Sequence, residues 1–310
     1  MTETTTSGGA DGHEETPERP SRTGSESRRA DGGEGHHAAT ATTTASVVET
    51  LRELLASAEG GRQYLLDPPP AFLEALEAAV DQVENPPTLR LLAPHDTLVW
   101  LRTRHHVATR VADLIADDVV RLRETPLADE TPALVGPNRL SALVLVGDAA
   151  ATLRTTETDV PGEVYERAEQ LWADAESFSL RTPPLSETLA TGERTLGEAF
   201  RADFAESLTV AAALDDASTY HPVRAGLAIA ARHELLHYDV SRWGDRTGVA
   251  STASFSRHKS TLEERGVIET EKVPVETGRP RQRLLLTDEY RRLADEEGLA
   301  ALIRAAAVDD

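Results

Sequence analysis

Hydroxyl, histidine and arginine side chains gather in one stretch of this sequence, Val249 to Leu286, which reads VASTASFSRHKSTLEERGVIETEKVPVETGRPRQRLLL. Thr252, Ser254, Ser256, Arg257, His258 and Lys259 supply hydrogen-bond donors and positive charge, the equipment that meets phosphate oxygens and base edges. Arg257 is the side chain best suited to guanine O6 and N7. A second set, Arg279, Arg281 and Arg283, lies in GRPRQR and would reach phosphate or the minor groove.

These residues need elements to hold them. Phe255 and Leu262, seven apart, share one helical face, and the polar residues between them turn elsewhere. Gly266 suits the end of that helix, Val249 to Arg265. Two β-rich runs follow, Val267 to Val273 and Gln282 to Leu286, joined by a Thr-Gly-Arg-Pro-Arg tip. Upstream, Pro222 suits a first helical position, with Val223, Leu227 and Ala230 on one face. Asp239 would cap a short helix from Val240 to Thr247, ended by Gly248. Helix, short helix, turn, helix and hairpin make a winged helix-turn-helix unit at 221–287.

The stretch DVSRWGDRTGVASTASFSRHKSTLEERGVIETEKVPVETGRPRQRLLLT resembles the DNA-binding domains of archaeal winged-helix regulators, most of all the haloarchaeal TbsP-type regulators, relatives of the TrmB-like group. SFSRHKSTLEERG and GRPRQRL carry the resemblance, which covers about a fifth of the chain. At Lys259 related helices often carry leucine; a lysine stem can pack there while its amine reaches outward. The resemblance implies a transcription regulator with double-stranded DNA as partner, linked to sugar or central carbon metabolism.

Two enzyme motifs compete. His233-Glu234-Leu235-Leu236-His237 matches H-E-x-x-H, which on one helix presents two imidazoles to zinc with the glutamate as general base. Here the motif runs off its helix, because Tyr238-Asp239-Val240 already belongs to the next one. No third ligand follows at zincin spacing, and Glu263 and Glu264 fall on the recognition helix. A zinc metallopeptidase is therefore the distant alternative, and no metal or cofactor is expected. TrmB-like effector domains are related to phospholipase-type phosphodiesterases, whose chemistry needs a histidine and a lysine two residues apart. The His258-Lys259 pair is adjacent instead, and no Gly-x-Ser-x-Gly elbow occurs. No catalytic residue is assigned.

The chain has 310 residues, enough for roughly two domains, and no cysteine, which excludes disulfides and thiolate sites. Its net charge is -21, and only two of its basic residues are lysines, Lys259 and Lys272. That balance resembles proteins of salt-in halophiles. Yet His221 to Leu286 holds 11 Lys and Arg against 8 Asp and Glu, a surplus of three that leaves -24 for the rest. The basic surplus is confined to the proposed DNA-binding unit. No apolar run reaches a membrane span, and a polar, acidic N-terminus is no signal peptide, so a cytoplasmic protein without a membrane partner is expected.

Residues 1–44 carry almost no large apolar side chain and are expected to be disordered. From 45 to 195 helical and strand-like runs alternate: Ser46 to Ala58, Arg62 to Leu66, Ala71 to Val83, Thr88 to Ala93, His95 to Asp117, Val119 to Arg123, Leu140 to Gly147 and Val160 to Ala175. This predicts an α/β domain with a mostly parallel sheet and flanking helices. Ligands of such sheets sit beyond the carboxyl ends of the strands, which points to Asp67, His95, Asp96, Glu124 and Asp148 for a small-molecule effector. A linking helix, with Phe200, Phe204 and Leu208 at intervals of four, is placed within 196–220, and a last helical stretch in 288–310. Either could pair across a two-fold axis in a homodimer. The alternative to a sensor is a constitutive DNA-binding protein whose α/β domain only dimerises.

Overall fold

Short runs of Leu, Val and Ala, alternating in the faces they present, form the centre of the N-terminal domain. These are β1 (Arg62–Leu66), β2 (Thr88–Ala93) and β3 (Val120–Glu124), paired in parallel with Arg62 opposite Thr88 and Leu89 opposite Val120. The computed structural model describes residues 47–58, 61–126, 131–146, 149–156, 159–214, 216–274 and 280–307. The N-terminal tail at 1–44, Asp148 and Arg279 lie outside them.

Parallel strands need crossovers, and helices supply them. β1 leads through α2 (Pro70–Val80) to β2, and β2 through α3 (His95–Thr103) and α4 (His105–Ala116) to β3. An antiparallel meander, β4 (Ala133–Gly136), β5 (Arg139–Val146) and β6 (Ala149–Thr155), adds to the β1 side, and β7 (Glu176–Ser177) closes the other. The order is β6-β5-β4-β1-β2-β3-β7. The expected α/β class with flanking helices is thus present; its parallel pairing is confined to the central trio, and the strands beside the trio run antiparallel.

Strand alternation divides the core between two faces. Leu65, Leu89, Leu91 and Leu143 pack beneath α1 (Val47–Ala56), α2 and α4, while Tyr64, Leu66, Leu92 and Val135 pack against Trp172 of α5 (Asp159–Asp174). The single helix expected over His95 to Asp117 is two, broken at Arg104 (φ -100°, ψ 86°).

The C-terminal part consists of α6 (Leu185–Leu196), α7 (Glu198–Ala212), α8 (Pro222–Arg232), α9 (His237–Thr247), α10 (Thr252–Glu264), β8 (Ile268–Val273), β9 (Arg281–Leu286), α11 (Asp288–Glu296) and α12 (Gly298–Ala307). The final helical stretch is split by Gly298, whose φ of +82° L side chains rarely adopt. Trp243 anchors this core. Its indole meets Phe200 and Phe204 edge-on, with centroids at 4.9 and 5.0 Å, and donates through Nε1 to the Thr188 carbonyl at 3.1 Å. Phe200, Phe204 and Leu208 are therefore interior to one chain, as are Leu299, Leu302 and Ile303. Both stripes considered for a two-fold interface are already covered.

α4 joins the two parts. Thr109 Oγ1 donates to the Pro183 carbonyl at 2.8 Å, and Asp113 accepts from Ser186 Oγ at 2.6 Å and from the Ser186 backbone N–H at 3.1 Å. That carboxylate faces the first turn of α6, where the helix dipole favours negative charge. Among the described residues no helix is long and apolar enough to cross a membrane.

Candidate nucleic-acid interface

α8 begins as its sequence requires, with Pro222 in the first turn and His221 Nδ1 accepting from the Val223 N–H at 3.3 Å. It ends at Arg232. α9 starts two residues earlier than its expected capping residue: Leu236 occupies the N-cap without a side-chain bond, and Asp239 lies inside the first turn. An acidic side chain is favourable at either position, so composition alone did not fix the boundary. Gly248, at φ +80°, turns the chain, and Ser251 Oγ then caps α10 by accepting from the Ser254 N–H at 3.2 Å. Between the two helices Gly244 allows close approach, since a Cβ there would overlap the Phe255 ring.

On α10 the inner face is Phe255, Lys259 and Leu262, all buried. Thr252, Ser256 and Arg257 are exposed; Ser254 and His258 are half-buried at the edge. Ser256 Oγ donates back to the Thr252 carbonyl at 3.1 Å, leaving its oxygen lone pairs outward as acceptors. His258 lies against His221, with ring centroids 4.1 Å apart. Lys259 corrects an expectation. Its stem packs inward, but its amine does not reach out: Nζ lies 2.8 Å from Glu263 Oε2, and Glu263 Oε1 also accepts from Thr270 Oγ1 at 2.9 Å. The lysine ties the helix to β8 instead of facing solvent.

β8 and β9 pair antiparallel from Ile268 opposite Leu286 to Val273 opposite Arg281. Arg283 faces Glu271 across the pair, Nη1 to Oε2 3.4 Å. Arg281 lies over the Tyr238 ring, 4.3 Å from its centroid, and 3.8 Å from Asp239. Arg242 Nη1 donates to the same tyrosine hydroxyl at 2.7 Å. Exposed Tyr238 and Arg242, on α9, thus stand beside the wing, and exposed Arg246 continues the same helix face one turn on. Sequence reasoning missed these three. Their i, i+4, i+8 spacing was legible, but only the fold shows that this face lies next to Arg281.

The H-E-x-x-H match does not make a metal-binding helix. His233 is the C-cap of α8, Glu234 has φ +54°, and His237 opens α9. The segment between serves as a third wing strand: the Leu284 N–H donates to the Leu235 carbonyl at 2.9 Å, and Leu236 bridges Arg283. His233 Nε2 is 2.8 Å from Asp203, which also pairs with Arg232. Burial, and then the charge of Lys259, pushes the His237 imidazole below its ordinary range. Among the described residues no three His, Cys, Asp or Glu cluster as a metal ion would require.

At the carboxyl ends of the parallel strands the proposed effector residues do converge, chiefly on partners within the chain. Asp67 accepts from Thr97 Oγ1 at 3.1 Å, and His95 Nδ1 lies 3.0 Å from Glu124 Oε1. Asp96 is exposed in the first turn of α3.

A three-helix unit with a capped, hydroxyl-rich outer helix and an adjoining β-hairpin is a winged helix-turn-helix. Two family models match the chain over adjoining stretches: the N-terminal domain of the TbsP-like transcriptional regulators over residues 39–183, and their C-terminal HTH domain over 184–304. The chain belongs to the TbsP-like transcriptional regulators. No curated protein matches it. Among solved structures it is similar to TrmBL2, described as an archaeal chromatin protein, at 17% identity and TM-score 0.31, covering 43% of this chain and 50% of that one. It is also similar to Nuc of Salmonella typhimurium, a phospholipase D family member, at 10% identity and TM-score 0.29, covering 42% and 89%. The chain thus spans half the length of TrmBL2, and at these TM-scores neither likeness bears on function.

Proposed function

We propose that this chain is a sequence-specific DNA-binding transcription regulator whose α10 enters the major groove. The observation that carries the reading is the exposed Thr252, Ser256 and Arg257 face of α10, capped by Ser251 and flanked by the Arg281 and Arg283 side chains of the wing. Arg257 reads a guanine edge, Thr252, Ser254, Ser256 and His258 contact bases and phosphates, and Arg279, Arg281 and Arg283 follow the backbone or minor groove. Lys259, held by Glu263, is left out of the contact set.

The α/β domain senses a small molecule, in a regulator connected to sugar or central carbon metabolism. Two copies bind two half-sites of an operator in the cytoplasm, as the symmetry of such sites favours. The excess of acidic over basic residues and the scarcity of lysine support a haloarchaeal source, where concentrated salt weakens counterion release and shifts the weight of recognition to base contacts and DNA shape.

Footprinting on the chain's own upstream promoter in high KCl tests this. Wild type protects a defined site, while Arg257→Ala and an Arg281→Ala, Arg283→Ala double variant lose it. Protection without sequence preference, or variants that bind as wild type does, would overturn the assignment. Light scattering at the same salt tests the dimer, and a monomer would refute it.

A further inference from the structure

At the amino-terminal end of β1, the opposite end of the sheet from Asp67 and Glu124, the C-terminal turn of α1 and the β4–β5 turn enclose a cavity of about 230 Å³. Its apolar wall includes Leu54 and Leu134; Gln63, Arg139 and Ser141 supply polar groups. The cavity is smaller than the ~300–1,000 Å³ usual for drug-sized ligands, so it suits a small molecule.

Its polar groups are unusual for their depth. Gln63 is 3% exposed and Ser141 1%, and the Ser141 hydroxyl has no hydrogen-bond partner. Burying a hydroxyl unpaired is unfavourable, and a ligand in the cavity would relieve that cost. Arg139 donates to the Ser57 carbonyl at the end of α1. Arg154 stands outside the lining itself; it is the direct cross-strand partner of Ser141, and its side chain rises from the same face of the sheet. Its Nε is buried and also unpartnered. A Cβ at Gly136 would collide with the Gln63 amide, so the glycine leaves room for that amide in the wall.

The charge is the deciding feature. In a chain with 53 acidic residues against 32 basic, none of the described residues that line this cavity is a carboxylate. Among the described residues neither Arg139 nor Arg154 forms an ion pair. The two buried groups without an acceptor, the Ser141 hydroxyl and Arg154 Nε, fit an anion with several oxygens, which accepts charge-assisted hydrogen bonds from guanidinium and hydroxyl together.

We propose that this cavity is the effector site of the α/β domain and binds a small oxyanion, a phosphate ester or a carboxylate, through Ser141, Arg139, Arg154 and Gln63. The proposal rests on the sensor reading given above and moves the site away from the carboxyl edge of the strands.

Isothermal titration of the full chain without DNA tests it, with inorganic phosphate, glycerol 1-phosphate, malate and uncharged glycerol as probes. One oxyanion binds at one per chain and glycerol does not; preference between glycerol 1-phosphate and malate distinguishes the two sources. Arg154→Gln and Ser141→Ala each weaken that binding by about tenfold. Ser141→Ala leaves the thermal midpoint of the unliganded chain at or above the wild-type value, because the hydroxyl it removes has no partner. Failure of all three oxyanions to bind at about 10 mM, or equal binding by wild type and both variants, overturns the proposal. Footprinting of the same preparations without ligand keeps the two readings apart. DNA protection without oxyanion binding overturns the site alone, and oxyanion binding without DNA protection upholds the site while removing the regulator.

Discussion

The imidazole of His258, on the recognition helix, rests against that of His221, the N-cap of α8, with centroids 4.1 Å apart and planes tilted by 48°. His221 follows Tyr220, whose ring stacks on His105 of α4 with centroids 6.1 Å apart. The recognition helix is therefore only a few side chains from the helix that docks the N-terminal domain. His258 shares its ring with this packing, whereas Arg257 is exposed. In anisotropy titrations with operator DNA, Arg257→Ala weakens binding by about ten- to a hundredfold, the worth of one bidentate base contact. His258→Ala weakens it less; equal losses would place the histidine at a base edge.

Salt dependence separates the arginines of the wing. Arg281, at the outer end of the described hairpin, is stacked on Tyr238 and lies 3.8 Å from Asp239, while Arg283 is held closer to its partner Glu271, at 3.4 Å. Arg281→Ala and Arg242→Ala each reduce the slope of log K against log salt by about one, as loss of one phosphate contact does, and Arg283→Ala by less. An Arg242→Ala slope equal to wild type would remove α9 from the interface.

Gly244 sets the distance between α9 and α10. Adding a methyl there forces the Phe255 ring aside, and overpacking of this kind costs about 1–3 kcal/mol. Thermal unfolding of Gly244→Ala shows a lowered midpoint. Gly226→Ala, whose new Cβ would lie 3.3 Å from the Trp243 ring, loses less. The reverse order would mean that the helices separate without strain.

The stability of the chain falls in mild acid. Burial, then the charges of His221 and His106, lowers His105 to about 4; burial, then Arg110 and Arg104, lowers His106 to about 4. In the unfolded chain both take up protons near the ordinary value of about 6.5. Between pH 6.5 and 4 the unfolded state binds more protons, so the stability present above that window is lost as pH falls through it. The loss is on the order of a few kcal/mol for the pair. Urea midpoints at pH 7 and pH 5 measure it, and His106→Gln flattens the difference. An unchanged difference in that variant would exclude His106 as a source.

Much of this was legible in the residues. The apolar spacing of Phe255 and Leu262, the stop at Gly266 and the runs around the wing located α10, β8 and β9 to within a few residues. β4 and β6 were not legible. ALVG is too short to show alternation, and AAATLRT is built mostly of small residues that fit either strand or helix. α6 escaped because its buried positions include Thr188 and Gly192, which carry little hydrophobic signal. The interior of Lys259 was hidden for a different reason: a lysine faces inward only where an acceptor awaits it, and Glu263 is placed by the helix while Thr270 is placed by the sheet. The unpaired Ser141 and Arg154 belong to the same class, since a missing partner is a property of the fold and leaves no mark on the sequence.

The bridge from Leu236 to Arg283, with the bond from Leu284 to Leu235, fastens the hairpin to the junction of α8 and α9. Wing and recognition helix are thus jaws of one caliper, since Lys259, Glu263 and Thr270 tie the helix to the same hairpin. On the proposed sensor reading, a signal from the N-terminal domain meets a module already tied together by these contacts. It then acts by changing how the whole module is presented, and in the proposed dimer control becomes a matter of where two calipers stand relative to each other along the DNA.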